Sequence, residues 1–345
     1  LMRKFAVIVA VIFFSLSTLP KHPSAVTKKL VLGYYTNKPS STNSFQTNYK
    51  FMNQIATDTY KFDATGKVIG TAPKEIVDLA NSKQVQPFAV VSNYGKTDWD
   101  TALAHKILSN TDIRKNFISN LLSLLRTNQY KGVNIDFEAL SPRDRVLFSK
   151  FIQAVSKKLS TNGFLTMISV PAKIKDNPSD SWSGAYDFKT LGKCANFVQI
   201  MTYDETGYWW NLPGSVASLP WINASLNYAV SVMSSKKVLM GIGAYGNDWN
   251  ITSRKIKENR RVPLSEIPQL LKRTGATPIR DKASASLHFR YKDQNGHTHE
   301  VWYDDATSIS KKAQYTTKYN LGGISIFALG MEGPDFWGAI NRGLQ

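Results

Sequence analysis

The chain has 345 residues, 42% hydrophobic and 12% aromatic, and carries a formal net charge of +18. This composition supports a large core, and the length fits one barrel-sized domain or two smaller ones. The single cysteine, Cys194, excludes an intrachain disulfide, and no basic run interleaved with aromatics points to nucleic acid.

The chain opens with Arg3 and Lys4, followed by an apolar run from Phe5 to Leu16. This reads as a secretory signal over residues 1–26, with small residues for cleavage near Ser15-Leu16-Ser17 or Pro23-Ser24-Ala25. The run is shorter than the roughly 20 residues of a membrane span, so no stable membrane insertion is expected. A retained anchor is the alternative. For an exported protein, the excess positive charge suits an anionic cell wall.

Eight strands are predicted beyond that point. They are Leu30–Tyr35, Phe51–Tyr60, Val85–Val91, Gly132–Glu138, Phe164–Val170, Phe197–Asp204, Val238–Tyr245 and Gly322–Leu329. Helical patterns fall between them at 72–82, 97–109, 111–128, 141–160, 221–234 and 306–319. Ser141 and Pro142 form a helix start directly after the fourth strand. Continuous apolar strands alternating with amphipathic helices indicate a parallel sheet. Eight such units predict an α/β fold, a (β/α)8 TIM barrel over residues 27–345. A doubly wound open sheet is the alternative, but its Gly-rich first turn is missing. Residues 248–305 break the rhythm and read as a small α+β insertion between strand seven and helix seven. Within it, Asn295-Gly296 marks a hairpin turn. His297 and His299 flank that turn without ligand partners in the sequence, so no metal and no cofactor are expected.

The fourth strand, Gly132-Val133-Asn134-Ile135-Asp136-Phe137-Glu138, carries the chemistry. Alternation along a strand puts Asn134, Asp136 and Glu138 on one face and Val133, Ile135 and Phe137 on the other. Three polar groups in a row are costly to bury without a use. The Asp136 charge raises the pKa of Glu138, so that Glu138 holds a proton near neutral pH. A protonated Glu beside an ionised Asp is equipment for breaking a glycosidic bond. In a barrel of this kind active sites lie at the C-terminal strand ends. Polar residues gather there in this chain: Tyr34-Tyr35, Ser92-Asn93, Asp136, Glu138 and Met201-Thr202-Tyr203-Asp204.

These motifs together resemble glycoside hydrolase family 18, the chitinase-like family. Its DxxDxDxE signature matches Lys131 to Glu138, and its Met-x-Tyr-Asp matches Met201-Thr202-Tyr203-Asp204. Lys131 and Asn134 replace Asp at two signature positions. The GVNIDFE form, with Gly241-x-Gly243-Ala244-Tyr245-Gly246 and Val301-Trp302-Tyr303, resembles the branch of spore cortex-lytic and spore-germination N-acetylglucosaminidases. The resemblance implies a retaining, substrate-assisted hydrolase of N-acetylglucosamine glycans, with peptidoglycan as the polysaccharide partner and a secreted or wall-associated monomer. It assigns Glu138 as acid and base, Asp136 as orienter of the acetamido group, and Tyr203 as its hydrogen-bond partner. Asn134 is expected to bond Asp136 from beneath. Tyr34, Ser92, Asp204, Tyr208 and Trp209 are candidate sugar contacts, with Trp182 and Trp249 weaker ones. Phe327 stands where Trp usually forms the floor under the sugar. A chitinase and a lectin-like barrel that binds without cutting are the alternatives.

Overall fold

The computed structural model describes residues 29–345; the signal reading for 1–26 lies outside the described residues. Eight parallel strands close into a barrel: Leu30–Tyr35, Gln54–Phe62, Gln86–Ser92, Gly132–Asp136, Leu165–Pro171, Phe197–Met201, Val238–Gly243 and Gly323–Phe327. The first strand pairs with both the second and the eighth, which completes the ring. All eight predicted strands are present.

Two apolar layers explain why these runs are nearly continuous in hydrophobic residues. The inward face places Leu32, Tyr34, Ala56, Phe88, Val90 and Met167 inside the barrel. The outward face packs Val133, Ile135 and Phe137 against the surrounding helices. Phe137 stacks on Phe62 at 4.9 Å and on Phe151 at 5.4 Å between ring centroids. A strand buried on both faces needs apolar residues at every position, so a polar residue there marks a site.

The helices at Lys74–Ser82, Thr101–Ser109, Thr111–Thr127, Arg145–Ser160, Leu219–Val232 and Ala306–Lys318 occupy the predicted intervals. Ser141 caps a short 3-10 turn, Pro142–Asp144, that leads into the helix from Arg145. Helices at Pro39–Asn48, Phe188–Cys194 and Phe336–Leu344 were not expected. The first buries only Ser41, Ser44 and Phe45, so its apolar stripe is too thin to read. The second spans two turns, and the third is interrupted by Gly338 and Gly343.

Directly after the seventh strand the chain enters a five-stranded antiparallel sheet. Its spatial order is Arg260–Pro263, Tyr245–Asn250, Thr298–Tyr303, Leu287–Lys292 and Ile279–Arg280. A helix, Ile267–Thr274, lies between two of these strands in sequence and ends at Gly275, whose φ of 66° few other residues adopt readily. The hairpin about Asn295-Gly296 joins two central strands. A buried chain of polar groups ties this sheet to the barrel. The Lys312 ammonium pairs with Asp304, Ser286 donates to Asp304 at 2.7 Å, and Ser215 meets Ser286 at 2.7 Å. Among the described residues, no helix is long and apolar enough to cross a membrane.

Candidate active site

The floor of the site is built from strand ends. Asn134 is fully buried inside the barrel and its side chain is spent on neighbours. Its amide donates to the Tyr34 hydroxyl at 3.3 Å, and its carbonyl accepts from Ser169 at 3.0 Å. Tyr34 and Ser169 are themselves 3.3 Å apart. The expected bond from Asn134 to Asp136 is therefore replaced by a Tyr34–Asn134–Ser169 triangle beneath the carboxylates. Asn134 supports the floor and does not face the cleft.

Above that triangle sit Asp136 and Glu138. The regular strand stops at Asp136, two residues short of the prediction, because side chains take over the next backbone groups. Tyr186 donates its hydroxyl to the Phe137 carbonyl at 2.7 Å. Asn93 clamps Glu138 from the third strand: its Oδ1 accepts the Glu138 N–H at 2.8 Å, and its Nδ2 donates to the Glu138 carbonyl at 2.9 Å. Ala139 then adopts a φ of 50° and turns the chain away. The backbone that carries Glu138 is thus held by two buried side chains. Replacing Asn93 with Leu leaves both Glu138 backbone groups unpaired. We expect a stability loss of about 1–3 kcal/mol, measured by urea unfolding. An unchanged unfolding midpoint would show that the clamp contributes nothing.

Protein surrounds both carboxylates, yet each residue retains partial solvent access at the cleft floor. Burial pushes the Asp136 carboxyl up to about 7, with the Asp58 charge adding to the shift and a Ser169 hydrogen bond opposing it. One oxygen of Asp136, Oδ1, is buried without a hydrogen-bond partner. Glu138 is raised well above the usual carboxylate range, first by burial and then by the charges of Asp136, Asp204 and Asp58; Arg261 acts in the opposite direction. The charge of Asp136, expected to raise Glu138, does so, but burial is the larger cause. Asp136 is also a weaker acid than the sequence suggests, chiefly through burial.

The opposite wall is aromatic. Tyr203 is buried and stacks on Phe327 at 5.8 Å with an interplanar angle of 26°. It meets Tyr245 edge-on at 6.4 Å. Gly241 makes room for it, since a Cβ there would lie 2.7 Å from the Tyr203 ring. Burial raises the Tyr203 hydroxyl well above its ordinary pKa, and the neighbouring Tyr34, Tyr245, Asp136 and Glu138 add to the shift. Phe327 also contacts Tyr34 at 5.8 Å. Ser92 is buried on the third strand, in register with Asp136.

Asp204 follows Tyr203 with a φ of 64° and turns toward the inserted sheet. Its two oxygens accept from the Tyr245 hydroxyl at 2.6 Å and from Arg261 at 3.4 Å. Arg261 lies over the Tyr245 ring at 4.0 Å and brings a cation from the insertion into the site. In the sequence Arg261 stood only as part of a charged run. The loop after the sixth strand carries Tyr208, Trp209 and Trp210, packed edge to face. Trp209 and Trp210 are substantially exposed, as is Trp182. Trp249 is buried and donates its indole N–H to the Trp210 carbonyl at 2.8 Å, so it anchors this loop and cannot stack on a ligand. Asn259 reinforces the anchor by donating to the Tyr208 carbonyl at 2.9 Å. No cluster of three metal-ligating side chains occurs among the described residues.

The site therefore brings together two buried carboxyls whose protonated forms are favoured, a buried tyrosine and an aromatic floor. Comparison with known proteins bears on the chain at the level of family, sequence and fold. The model of Glycosyl hydrolases family 18 matches residues 28–332. The uncharacterized glycosylase YvbX of Bacillus subtilis is 41% identical over 318 residues, which is 92% of each chain. A cortical fragment-lytic enzyme of Bacillus anthracis is 30% identical over 268 residues, 77% of this chain and 62% of that one. The chain thus spans only about three fifths of the latter relative's length. A solved chitinase from Chromobacterium violaceum superposes with a TM-score of 0.86 at 33% identity, covering 92% of this chain and 99% of the other. The family match across nearly all the described barrel establishes that this chain is a family 18 glycosyl hydrolase, a glycosidase.

Proposed function

We propose that the protein is an exported retaining hydrolase that cuts β-1,4 bonds beside N-acetylglucosamine in peptidoglycan. The observation that carries this reading is the pair Asp136 and Glu138 at the end of the fourth strand, with Glu138 clamped by Asn93 and its carboxyl raised by burial. Export rests on the basic start and apolar run of the N-terminal sequence. The wall as target is supported by the net charge of +18 and by similarity to a cortical fragment-lytic enzyme.

In the reaction, Glu138 gives its proton to the glycosidic oxygen as the bond to the anomeric carbon breaks. The acetamido carbonyl oxygen of the same sugar attacks that carbon and closes an oxazolinium ring. Asp136 accepts the acetamido N–H and offsets the ring's positive charge. The Tyr203 hydroxyl bonds the acetamido oxygen and keeps it in line. Holding an internal nucleophile in place removes about 7–11 kcal/mol of barrier in the best cases. Glu138, now a carboxylate, takes a proton from water, which attacks the same carbon and reopens the ring. Two inversions give retention, and Glu138 ends protonated as it began. Phe327 floors the sugar, while Tyr208 and Trp209 offer stacking surface along the cleft. Tyr34 and Ser92 shape the base of the cavity, and Asp204 faces the sugar from the side of the insertion.

The test is mass analysis of digests of purified peptidoglycan and of chitin. N-acetylglucosamine reducing ends from peptidoglycan support this reading. Products from chitin alone favour the second one, a chitooligosaccharide hydrolase, which the similarity to a solved chitinase supports. Binding without products from either material refutes both.

Arg261 bears on the same mechanism. It opposes the rise in the Glu138 and Asp204 pKa values. Arg261→Ala removes that cation and frees Asp204. We expect the basic limb of the kcat/KM profile to move to higher pH, because Glu138 then keeps its proton longer. Loss of the Asp204 tether lowers kcat/KM by about 10- to 100-fold at neutral pH. A pH series on a soluble N-acetylglucosamine oligomer reads both effects.

A further inference from the structure

The cleft carries a cation that the proposed reaction does not use. Lys61 of the second strand is in register with Ser92 of the third, and Ser92 with Asp136 of the fourth. Residues in register across parallel strands point to the same side of the sheet, so Lys61, Ser92 and Asp136 form one inward row at the strand ends. A bulge between Asp58 and Tyr60 sets this row. It keeps Tyr60 on the outward face, where its hydroxyl meets Tyr130 at 3.5 Å, and returns the next side chain, Lys61, to the inside. Two strand spacings put the Lys61 backbone about 10 Å from that of Asp136. Asp58 lies in the row of Asn134, one layer lower.

The ammonium group is held but not neutralised. It donates to the Gly95 carbonyl at 2.9 Å and lies 4.9 Å from the Tyr94 ring centroid. Gly95 takes one of its three N–H donors. The side chain is exposed, and among the described residues no carboxylate is in ion-pair contact with it. Tyr94 and Trp99 close a tight turn beside it. They bridge as a strand pair, their rings meet edge to face at 5.2 Å, and the Tyr94 hydroxyl donates to the Thr97 carbonyl at 2.9 Å. Tyr94 is exposed and Trp99 half-buried. The acid of this turn, Asp98, accepts the Trp99 N–H at 2.8 Å. The turn starts directly after Asn93, the residue that bonds both backbone groups of Glu138. In the ring of eight strands, the second and third lie across from the sixth and seventh, which carry Tyr203, Asp204 and the insertion with Arg261.

We propose that Lys61, with Tyr94 and Trp99, seats the sugar on the leaving side of the cut bond and pairs with a carboxylate that this sugar carries. The oxygen that Glu138 protonates departs with that sugar, and Asn93 ties Glu138 directly to the turn of Tyr94. The two rings offer apolar surface for the sugar, and the ammonium offers a charge for its substituent. In peptidoglycan the sugar on that side bears a 3-O-lactyl group, whose carboxyl is free or joined to a peptide with carboxylates of its own. In chitin the same position is a neutral hydroxyl. Lys61 is thus a specificity-determining residue: a carboxylate there gains a charge-assisted hydrogen bond that a neutral sugar does not. An ammonium already seated on Gly95 and Tyr94 loses less side-chain freedom on binding.

This inference rests on the proposed reading of the site, but its test is kept apart from turnover. Calorimetry measures the binding of two soluble tetrasaccharides, a peptide-free peptidoglycan fragment with free lactyl carboxylates and the N-acetylglucosamine tetramer. The protein is Glu138→Gln, alone and combined with Lys61→Gln or Lys61→Arg. Lys61→Gln should weaken binding of the peptidoglycan fragment about threefold to fivefold more than binding of the neutral tetramer. Lys61→Arg, which keeps the charge, should retain the preference for the fragment. Added salt should shrink that preference in the Lys61 protein and leave the ratio in Lys61→Gln in place. Equal weakening of both ligands by Lys61→Gln, or a preference that survives it, overturns the proposal. If the unsubstituted protein releases no product from either saccharide, the hydrolase reading falls, while the binding ratio still decides the role of Lys61.

Discussion

Glu138→Gln is expected to lower kcat on N-acetylglucosamine glycans by about 10²–10⁴-fold while leaving the barrel folded. The amide matches the carboxyl in shape and keeps the backbone contacts that fix this position, because Asn93 and Tyr186 bond main-chain atoms of Glu138 and Phe137 and not the side chain. What is lost is the transferable proton. Without it, the leaving oxygen departs as an alkoxide and no base activates water in the second half of the reaction. The stability outcome has a definite sign. Burial raises the Glu138 pKa in the folded protein, so ionisation of this group costs folding free energy as pH rises above the unfolded value. The neutral amide removes that cost, and the variant should be at least as stable as the parent at pH 8. Circular dichroism, urea unfolding and a turnover assay together check this. Turnover within a factor of three of the parent would remove Glu138 from the mechanism.

The same residue shows how far the sequence can be read. The eight strands were legible because burial on both faces leaves continuous apolar runs, and the carboxylates stood out against that background. Glu138 and Asp136 needed only alternation. The bond from Asn134 to Asp136 was wrong because the partners of a buried amide come from other strands; Tyr34 and Ser169 lie 100 and 35 residues away. Asn93 was visible as a polar strand end, yet its use as a backbone clamp on Glu138 depends on two strands lying side by side. Arg261 was hidden in a charged segment whose sheet folds back over the barrel mouth. Trp249 looked like a sugar platform, but neighbours in the inserted sheet bury it.

Asp136→Asn separates activity from stability most sharply. In the proposed reaction, the substitution removes the charge that offsets the oxazolinium ring and the acceptor that orients the acetamido N–H. Loss of one such preorganised electrostatic contact lowers kcat by about 10²–10³-fold. The Asp136 charge also helps to raise Glu138, so the basic limb of the pH profile should move to lower pH in the variant. Stability moves the other way. Burial pushes the Asp136 carboxyl up to about 7 in the folded protein, against an unfolded value near 3.9. The native state therefore binds more protons than the unfolded state between those values, and stability falls as pH rises through that window. A neutral side chain escapes the loss. Asp136→Asn should be more stable than the parent by roughly 1–4 kcal/mol at pH 8, with the difference shrinking toward pH 4. Urea unfolding of both proteins at the two pH values measures it. A stability difference that does not change with pH would show that Asp136 ionises in the folded barrel as freely as in the unfolded chain. The buried, unpartnered Oδ1 of Asp136 argues against that, because charge on that oxygen would have neither water nor donor to stabilise it. Burial thus disfavours the ionised form of the second carboxyl, and in the proposed reaction the positive ring is the partner that relieves it.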